Sequence, residues 1–266
     1  MIETAEEIQK KQSFGKIEVE NLGVSYDQGN NEDFIFKGIN FKTSPGEFLC
    51  LLGPSGCGKS TILNSIAQFI KPTQGFVFVN DRHVDTPGSD RGFVFQESSL
   101  LPWKTTIQNV EFGLKLRSTS RRKRRELVNY YLKQVGLYSY RNHFPSQLSG
   151  GMQQRASILR ALVNFPSVLL MDEPFGALDA QTRITMQELL LKIWNQFKPT
   201  IVFVTHDISE AIFLADRIFV MGVNPGRIKQ EINIPLERPR QMEVMHSQEF
   251  LTFNRDIFNF IREEVG

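Results

Sequence analysis

Gly53-Pro54-Ser55-Gly56-Cys57-Gly58-Lys59-Ser60 is the stretch on which the reading of this chain turns. It fits a phosphate-binding pattern of glycine, four free positions, glycine, lysine and serine or threonine. The flanks agree. Glu47 to Leu52 (EFLCLL) reads as a short buried strand and Ser60 to Ile70 (STILNSIAQFI) as an amphipathic helix, so strand, glycine loop and helix follow in order. Glycines let the backbone wrap a phosphate chain with its N–H groups turned inward, and the helix N-terminus adds partial positive charge. Gly53, Pro54, Ser55, Gly56, Cys57, Gly58, Lys59, Ser60 and Thr61 are expected to hold the nucleotide, with Lys59 reaching the β- and γ-phosphates and Ser60 ligating Mg²⁺. Cys57 sits beside Lys59 near a helix N-terminus, so a reactive thiol of lowered pKa is expected there, whereas Cys50 in the buried strand is expected to be inert.

A chain of 266 residues has room for one large α/β domain with a smaller subdomain. Its net charge of +2, with 23% charged residues, offers no general polyanion-binding surface and disfavours nucleic acid as a partner. Only two cysteines occur, which argues for a reducing compartment and against a disulfide framework. With no basic, apolar leader and no apolar run of about 18 residues, the expected protein is cytosolic and does not itself span a membrane.

Residues 1–15 are polar and mixed in charge and read as an N-terminal extension. Lys16 to Ser25 and Phe34 to Thr43 alternate apolar and polar residues like antiparallel strands with one wet face. Tyr26, between them, either packs at a strand end or stacks on an adenine ring. Phe76 to Val79 and Gly92 to Phe95 read as further strands. Gln96 follows the second at once, where an α/β sheet binds its ligands; its amide suits Mg²⁺ or water, or plain solvent. From Glu97 to Asn164 helix patterns take over, as a helical insertion would. There Ser99-Leu100-Leu101-Pro102-Trp103 forms a loop that either presents Trp103 to a partner or tucks it into the local core. Arg121-Arg122-Lys123-Arg124-Arg125 begins a helix running to Gly136, a solvated face or one that meets anionic lipid headgroups.

Leu148-Ser149-Gly150-Gly151-Met152-Gln153-Gln154-Arg155 then opens a helix through Val163. Ser149 can cap it, and the two glycines leave the first N–H groups uncovered by any Cβ, which makes a second anion site at a helix end. Ser167 to Met171 (SVLLM) is a continuous apolar run, as a central parallel strand requires, and Asp172-Glu173 stands at its C-terminal end. Asp172 is expected to hold Mg²⁺ through its water shell and Glu173 to polarise the attacking water. Asp179 can cap the following helix, Ala180 to Phe197. Thr200 to Thr205 is another buried strand, and His206 after it is placed to hydrogen-bond a γ-phosphate or the attacking water. Arg217 to Met221 and Arg227 to Ile234 make closing strands, and Phe250, Phe253, Ile257 and Ile261 recur at the spacing of a docked terminal helix.

With these pieces in order the chain resembles the ATP-binding subunits of ATP-binding-cassette transporters, from Lys16 to about Ile234. Leu148 to Arg155 carries the resemblance, because it looks like that family's signature motif. The resemblance implies an α/β fold: a P-loop NTPase core with a mostly parallel sheet, an antiparallel β-subdomain and a helical subdomain at about 97–164. The ATPase domain would cover 16–234, and 235–266 would be a C-terminal helical extension. It implies an ATPase with ATP and Mg²⁺ as cofactors. By resemblance Tyr26 stacks on adenine and Gln96 is the Q-loop glutamine, facing both the metal and the reaction. Glu173 is the general base, Asp179 the D-loop aspartate and His206 the switch histidine. Ser149, Gly150 and Gly151 of one subunit close on phosphates held by another, in a homodimer or with a paired ATPase subunit. Leu100-Leu101-Pro102-Trp103 and Asn224-Pro225-Gly226-Arg227-Ile228 look like the importer branch for nitrate, sulfonate, taurine or bicarbonate. Implied partners are two membrane permease subunits, with cytoplasmic helices in a groove near Gln96 and Trp103, and an extracytoplasmic solute-binding protein. The chain would then be peripheral on the cytoplasmic face of the plasma (inner) membrane. A cassette ATPase outside transport, a non-hydrolysing regulator, and an importer of another solute class are the alternatives.

Overall fold

The computed structural model describes residues 15–25, 34–117, 119–223 and 225–265. Its strands are β1 (Ile17–Ser25), β2 (Phe34–Lys42), β3 (Phe48–Leu52), β4 (Gln74–Val79), β5 (Arg82–His83), β6 (Arg91–Val94), β7 (Val168–Asp172), β8 (Thr200–Thr205), β9 (Arg217–Gly222) and β10 (Arg227–Asn233). They sort into two sheets. One has the order β2-β1-β4-β5 and is antiparallel throughout, and the other runs β10-β9-β3-β8-β7-β6. In the second every pairing is parallel except that of β10 with β9. The physical reason lies in the side chains. β3, β7 and β8 are buried at every position, as strands covered on both faces must be, whereas β1 and β2 carry polar residues that need one face in water.

Alternation along β3 divides the interior. Phe48, Cys50 and Leu52 enter a core shared with Phe203, Phe213 and Ile257, while Leu49 and Leu51 enter a second core with Ile62, Ile66, Ile17 and Phe36. Because Leu52 is paired with Thr205, Asp172 with Val204 and Val94 with Met171, the C-terminal ends of β3, β8, β7 and β6 come to one edge. That edge carries the site.

The helices are α1 (Lys59–Ile66), α2 (Thr106–Val110), α3 (Phe112–Leu116), α4 (Arg121–Gln134), α5 (Gly150–Leu162), α6 (Ala180–Phe197), α7 (Ile208–Leu214) and α8 (Gln248–Val265). α2 to α5 fall between β6 and β7, within the stretch expected to be helical. α1 stops short of the expected Ile70, because Gln68 takes a φ of 64° and the Phe69 N–H turns back to the Asn64 carbonyl at 2.9 Å. α7 was not anticipated from the sequence. Its signal was Asp207, whose carboxylate accepts the Glu210 N–H at 3.0 Å and caps the helix. At the other end Arg240, itself buried, donates to the carbonyls of Ile212, Phe213 and Ala215. Burial brings its guanidinium pKa down to about 9. On α8, Phe250 and Ile257 are buried and Phe253 and Ile261 pack against the same core, as their spacing predicted. Among the described residues no helix is long and apolar enough to cross a membrane.

Candidate active site

The loop after β3 turns on left-handed glycines, Gly56 at φ 84° and Gly58 at φ 90°. A Cβ on Gly58 would lie 3.2 Å from Ile35 Cγ2, so both backbone and wall ask for glycine where the N–H groups of α1 begin. Lys59 is 5% exposed, and its ammonium donates to the carbonyls of Gly53 and Pro54 at 2.8 Å each. A third, longer contact reaches Cys57 Sγ at 3.8 Å, so the ammonium is held within the loop at the mouth of α1.

Cys57 corrects an expectation. Its side chain is 1% exposed and packs into the core with Leu49, Leu51 and Ile62. Burial pushes the thiol pKa up, against the pull of Lys59, whose Nζ lies 3.8 Å from Sγ. It is therefore a buried structural cysteine and not an activated thiol. Cys50 is buried too, and its thiol is pushed up further for the same reason.

Ser60 Oγ donates to Asp172 Oδ1 at 2.8 Å across the gap between α1 and β7. Burial raises the Asp172 carboxyl above its ordinary pKa, and the Ser60 hydrogen bond opposes that shift. Glu173, one residue on, has a φ of 41°, and its N–H donates to the Val204 carbonyl at 3.0 Å. A non-glycine residue held at positive φ stores strain that neighbouring structure must over-determine, and the effect here is to turn Glu173 out of the strand line. Its Oε2 lies 3.0 Å from Nδ1 of His206, which ends β8. Two residues singled out separately, 33 positions apart, are therefore in contact.

Ile35, Ser55, Gly56, Lys59, Ser60, Gln96, Glu173 and His206 line one cleft of about 370 Å³. Ser60 and the amide oxygen of Gln96 are hard oxygen donors, and Asp172 stands behind Ser60. Such a set suits Mg²⁺, an ion that keeps several waters and takes further ligands from phosphate oxygens. Among the described residues no group of three or more His, Cys, Asp or Glu forms a protein-only metal cage. A larger cavity, about 650 Å³, opens at the opposite edge of the sheet, but its charges answer one another: Arg217 pairs with Glu47 at 2.7 Å.

Other expected site residues stand outside the cleft. Ser149 Oγ accepts the Met152 N–H at 3.3 Å and caps α5; Asp179 accepts the Thr182 N–H at 2.9 Å and caps α6. That backbone hydrogen bonding holds the Asp179 carboxyl below its usual range. A Cβ on Gly150 would meet nothing within 4 Å, and one on Gly151 only Leu178 Cδ2 at 3.4 Å. Among the described residues no contact requires either glycine. Tyr26 and Asn224 lie outside the described residues. Trp103 is 69% exposed and so is not tucked into the local core. A groove of about 300 Å³ between β6 and the inserted helices is lined in part by Phe93, Phe112 and Leu116, with neither Trp103 nor Gln96 in its walls. Sequence reasoning passed over Arg183 and Glu210, which lie directly behind the Glu173–His206 pair. A lone carboxylate inside the apolar run Ile208 to Ala215 was the available signal.

Over residues 36–176 the chain matches the ABC transporter family. It belongs to that family, as an ATP-binding subunit with ATPase activity. An uncharacterized ABC transporter ATP-binding protein of Methanocaldococcus jannaschii is 45% identical over 265 residues, covering 99% of this chain and 98% of that protein. The nitrate import ATP-binding protein of a Synechocystis strain is 46% identical over 232 residues, covering 85% and 87%. The taurine import ATP-binding protein of Pelagibacter ubique is 48% identical over 199 residues, covering 75% of each. Among solved structures, a dimeric post-hydrolysis ATP-binding cassette bound to ADP and Pi superposes with a TM-score of 0.75 at 35% identity, covering 83% of this chain and 100% of that one.

Proposed function

We propose that this chain hydrolyses Mg-ATP as one half of a closing pair of ATPase subunits and so powers a membrane importer of a small anionic solute. One observation carries the reading: Glu173, His206, Lys59, Ser60 and Gln96 share a cleft, while the glycine end of α5 stands uncovered outside it. The loop N–H groups and Lys59 hold the β- and γ-phosphates. Ser60, Gln96 and, through water, Asp172 would hold Mg²⁺, which when bound would supply charge neutralisation at the phosphate oxygens. Glu173 accepts the proton of the attacking water, and His206, fixed at 3.0 Å from it, orients that water and the γ-phosphate. Tyr26 stacks on adenine. Ser149, Gly150, Gly151 and Asp179 act on nucleotide held by the other subunit, which accounts for glycines that this chain's own packing does not demand.

The solute class follows from the nitrate and taurine import relatives. Cytoplasmic helices of two permease subunits sit in a groove near Gln96 and Trp103, a reading supported by the exposure of Trp103. The chain works at the cytoplasmic face as a peripheral subunit, and a solute-binding protein serves the outer side. The ATPase domain takes 16–234, including the helical subdomain at about 97–164, between an N-terminal extension at 1–15 and a C-terminal one at 235–266.

The test uses two variants that fail differently. Lys59→Ala should lose both nucleotide binding and hydrolysis. Glu173→Gln should keep binding while hydrolysis drops about 10²- to 10⁴-fold, the range for a general base. Light scattering should then show it accumulating as a dimer in ATP. A monomeric Glu173→Gln protein under saturating Mg-ATP would overturn the paired mechanism.

A further inference from the structure

Behind Glu173 and His206 lies a small polar cavity of about 70 Å³, walled also by Arg183, Thr205, Asp207 and Glu210. Arg183 belongs to the first turn of α6. Its Nη2 donates to the Leu178 carbonyl at 3.2 Å, next to Asp179, and its backbone N–H donates to the Asp179 carbonyl at 2.8 Å. The same guanidinium reaches the other way, with Nη1 3.8 Å from Asp207 Oδ2 and Nε 3.9 Å from Glu210 Oε1. Those are ion-pair distances but not hydrogen bonds, and among the described residues Nε is a buried donor without an acceptor. Glu210 is 6% exposed and accepts from Gln187 Nε2 at 3.2 Å and from Thr205 Oγ1 at 2.8 Å. Thr205 Oγ1 in turn accepts the Asp207 N–H at 3.0 Å. The two residues flanking His206 are thereby tied to Glu210, and Glu210 faces Arg183.

Joining α6 to α7 does not require this arrangement. An apolar pair of similar volume does the same without desolvating a carboxylate, and buried ion pairs add little net stability. Polar groups here do something an apolar contact cannot: they set direction, linking the Leu178–Asp179 turn on one side to the Thr205–Asp207 turn on the other.

We propose that Arg183 is a positioning residue for ATP hydrolysis, holding the Leu178–Asp179 turn and His206 in one frame through Glu210. The inference rests on Glu173 and His206 being the hydrolytic pair. Arg183 touches neither nucleotide-loop residue nor reacting atom; it acts on where His206 and Asp179 stand. Its loss therefore costs turnover and spares ATP binding, since the phosphate loop is built on β3 and α1.

Steady-state ATPase assays of the full chain, with thermal melts alongside, test this. Arg183→Met should lower kcat about tenfold or more with KM for ATP changed less than about twofold, the pattern of an interaction realised in the transition state. Arg183→Lys should recover part of the loss, because an ammonium reaches Glu210 but not the Leu178 carbonyl as well. Glu210→Gln should lower kcat comparably, and the double variant should be no worse than the poorer single one, since both break one link. A kcat within about twofold of the parent in Arg183→Met, multiplicative losses in the double variant, or losses that follow only the folded fraction would each overturn the proposal. Should Arg183→Met fail to fold, Arg183→Lys and Glu210→Gln carry the same comparison. Glu173→Gln run in parallel separates the two failures. If it stays active, the hydrolytic reading falls; if it is inactive while Arg183→Met is not, only the role of Arg183 falls.

Discussion

Glycine stands at the start of both α1, which Gly58 caps, and α5, whose first residue is Gly150, and both offer N–H groups to an anion, yet they begin in different surroundings. Around α1 the same chain supplies everything else: a wall from Ile35, a buried ammonium from Lys59, a hydroxyl on Asp172, and Glu173 with His206 across the cleft. Around α5 the described residues supply a serine cap. The guanidinium of Arg155, on α5 itself, donates to the carbonyls of Gly151 and Val135. The difference teaches that glycine has two meanings at a helix start. At Gly58 it answers the chain's own backbone and walls, whereas at Gly150 it answers nothing among the described residues.

Substitutions at the two glycines sharpen that contrast. Gly150→Val should cut steady-state ATPase about tenfold or more while ATP binding persists, with stability changed by about 0.5 kcal/mol at most, because the new side chain meets open space in the monomer. Undiminished turnover would remove the partner from the account. Gly58→Ala should do the reverse to the fold and lower unfolding free energy in urea by about 1–3 kcal/mol, the cost of an L-residue held at φ 90°. Equal stability losses at the two positions would erase the distinction.

A smaller effect concerns the acid beneath Ser60. Burial raises the Asp172 pKa, so over a window above its ordinary value the folded chain keeps a proton that the unfolded chain has released. Stability conferred by the protonated form therefore declines as pH rises through that window. Without Mg²⁺ or nucleotide, Asp172→Asn should melt higher than the parent at neutral pH, and the advantage should shrink as pH is lowered toward 4; a pH-independent difference would show that the carboxylate's charge is not what burial penalises. Smallest of all, Cys57 should label with maleimide as slowly as Cys50 in the native protein, with or without Mg-ATP, and both should react once urea unfolds the chain. Fast labelling of Cys57 that ATP blocks would put the thiol back on the surface of the phosphate loop.

Much of the site was legible because its residues sit at strand ends, and strand ends show in sequence as the point where an apolar run stops. Met171 yields to Asp172, Thr205 to His206 and Phe95 to Gln96 in that way. α7 escaped notice because seven residues are too few for a helical period to stand out against the buried strands on either side. The chemistry of Cys57 was misread for a different reason. Lys59 does pull the thiol pKa down, but burial of the sulfur outweighs that pull, and side-chain direction in a tight loop is set by what packs beneath it.

Local chemistry was enough for the sequence alone to determine the phosphate loop, the acidic and histidine strand ends, the capped glycine start of α5 and the parallel character of the central strands. Each depends on residue type and short spacing, which chain order preserves. Contacts that only the folded chain creates were decided by tertiary structure: the 3.0 Å approach of Glu173 to His206, the burial of Cys57, and the bridge from Leu178 through Arg183 to Glu210. These join residues from different strands and helices whose separation along the chain carries no record of their distance in space. Sheet register and side-chain packing fix that distance.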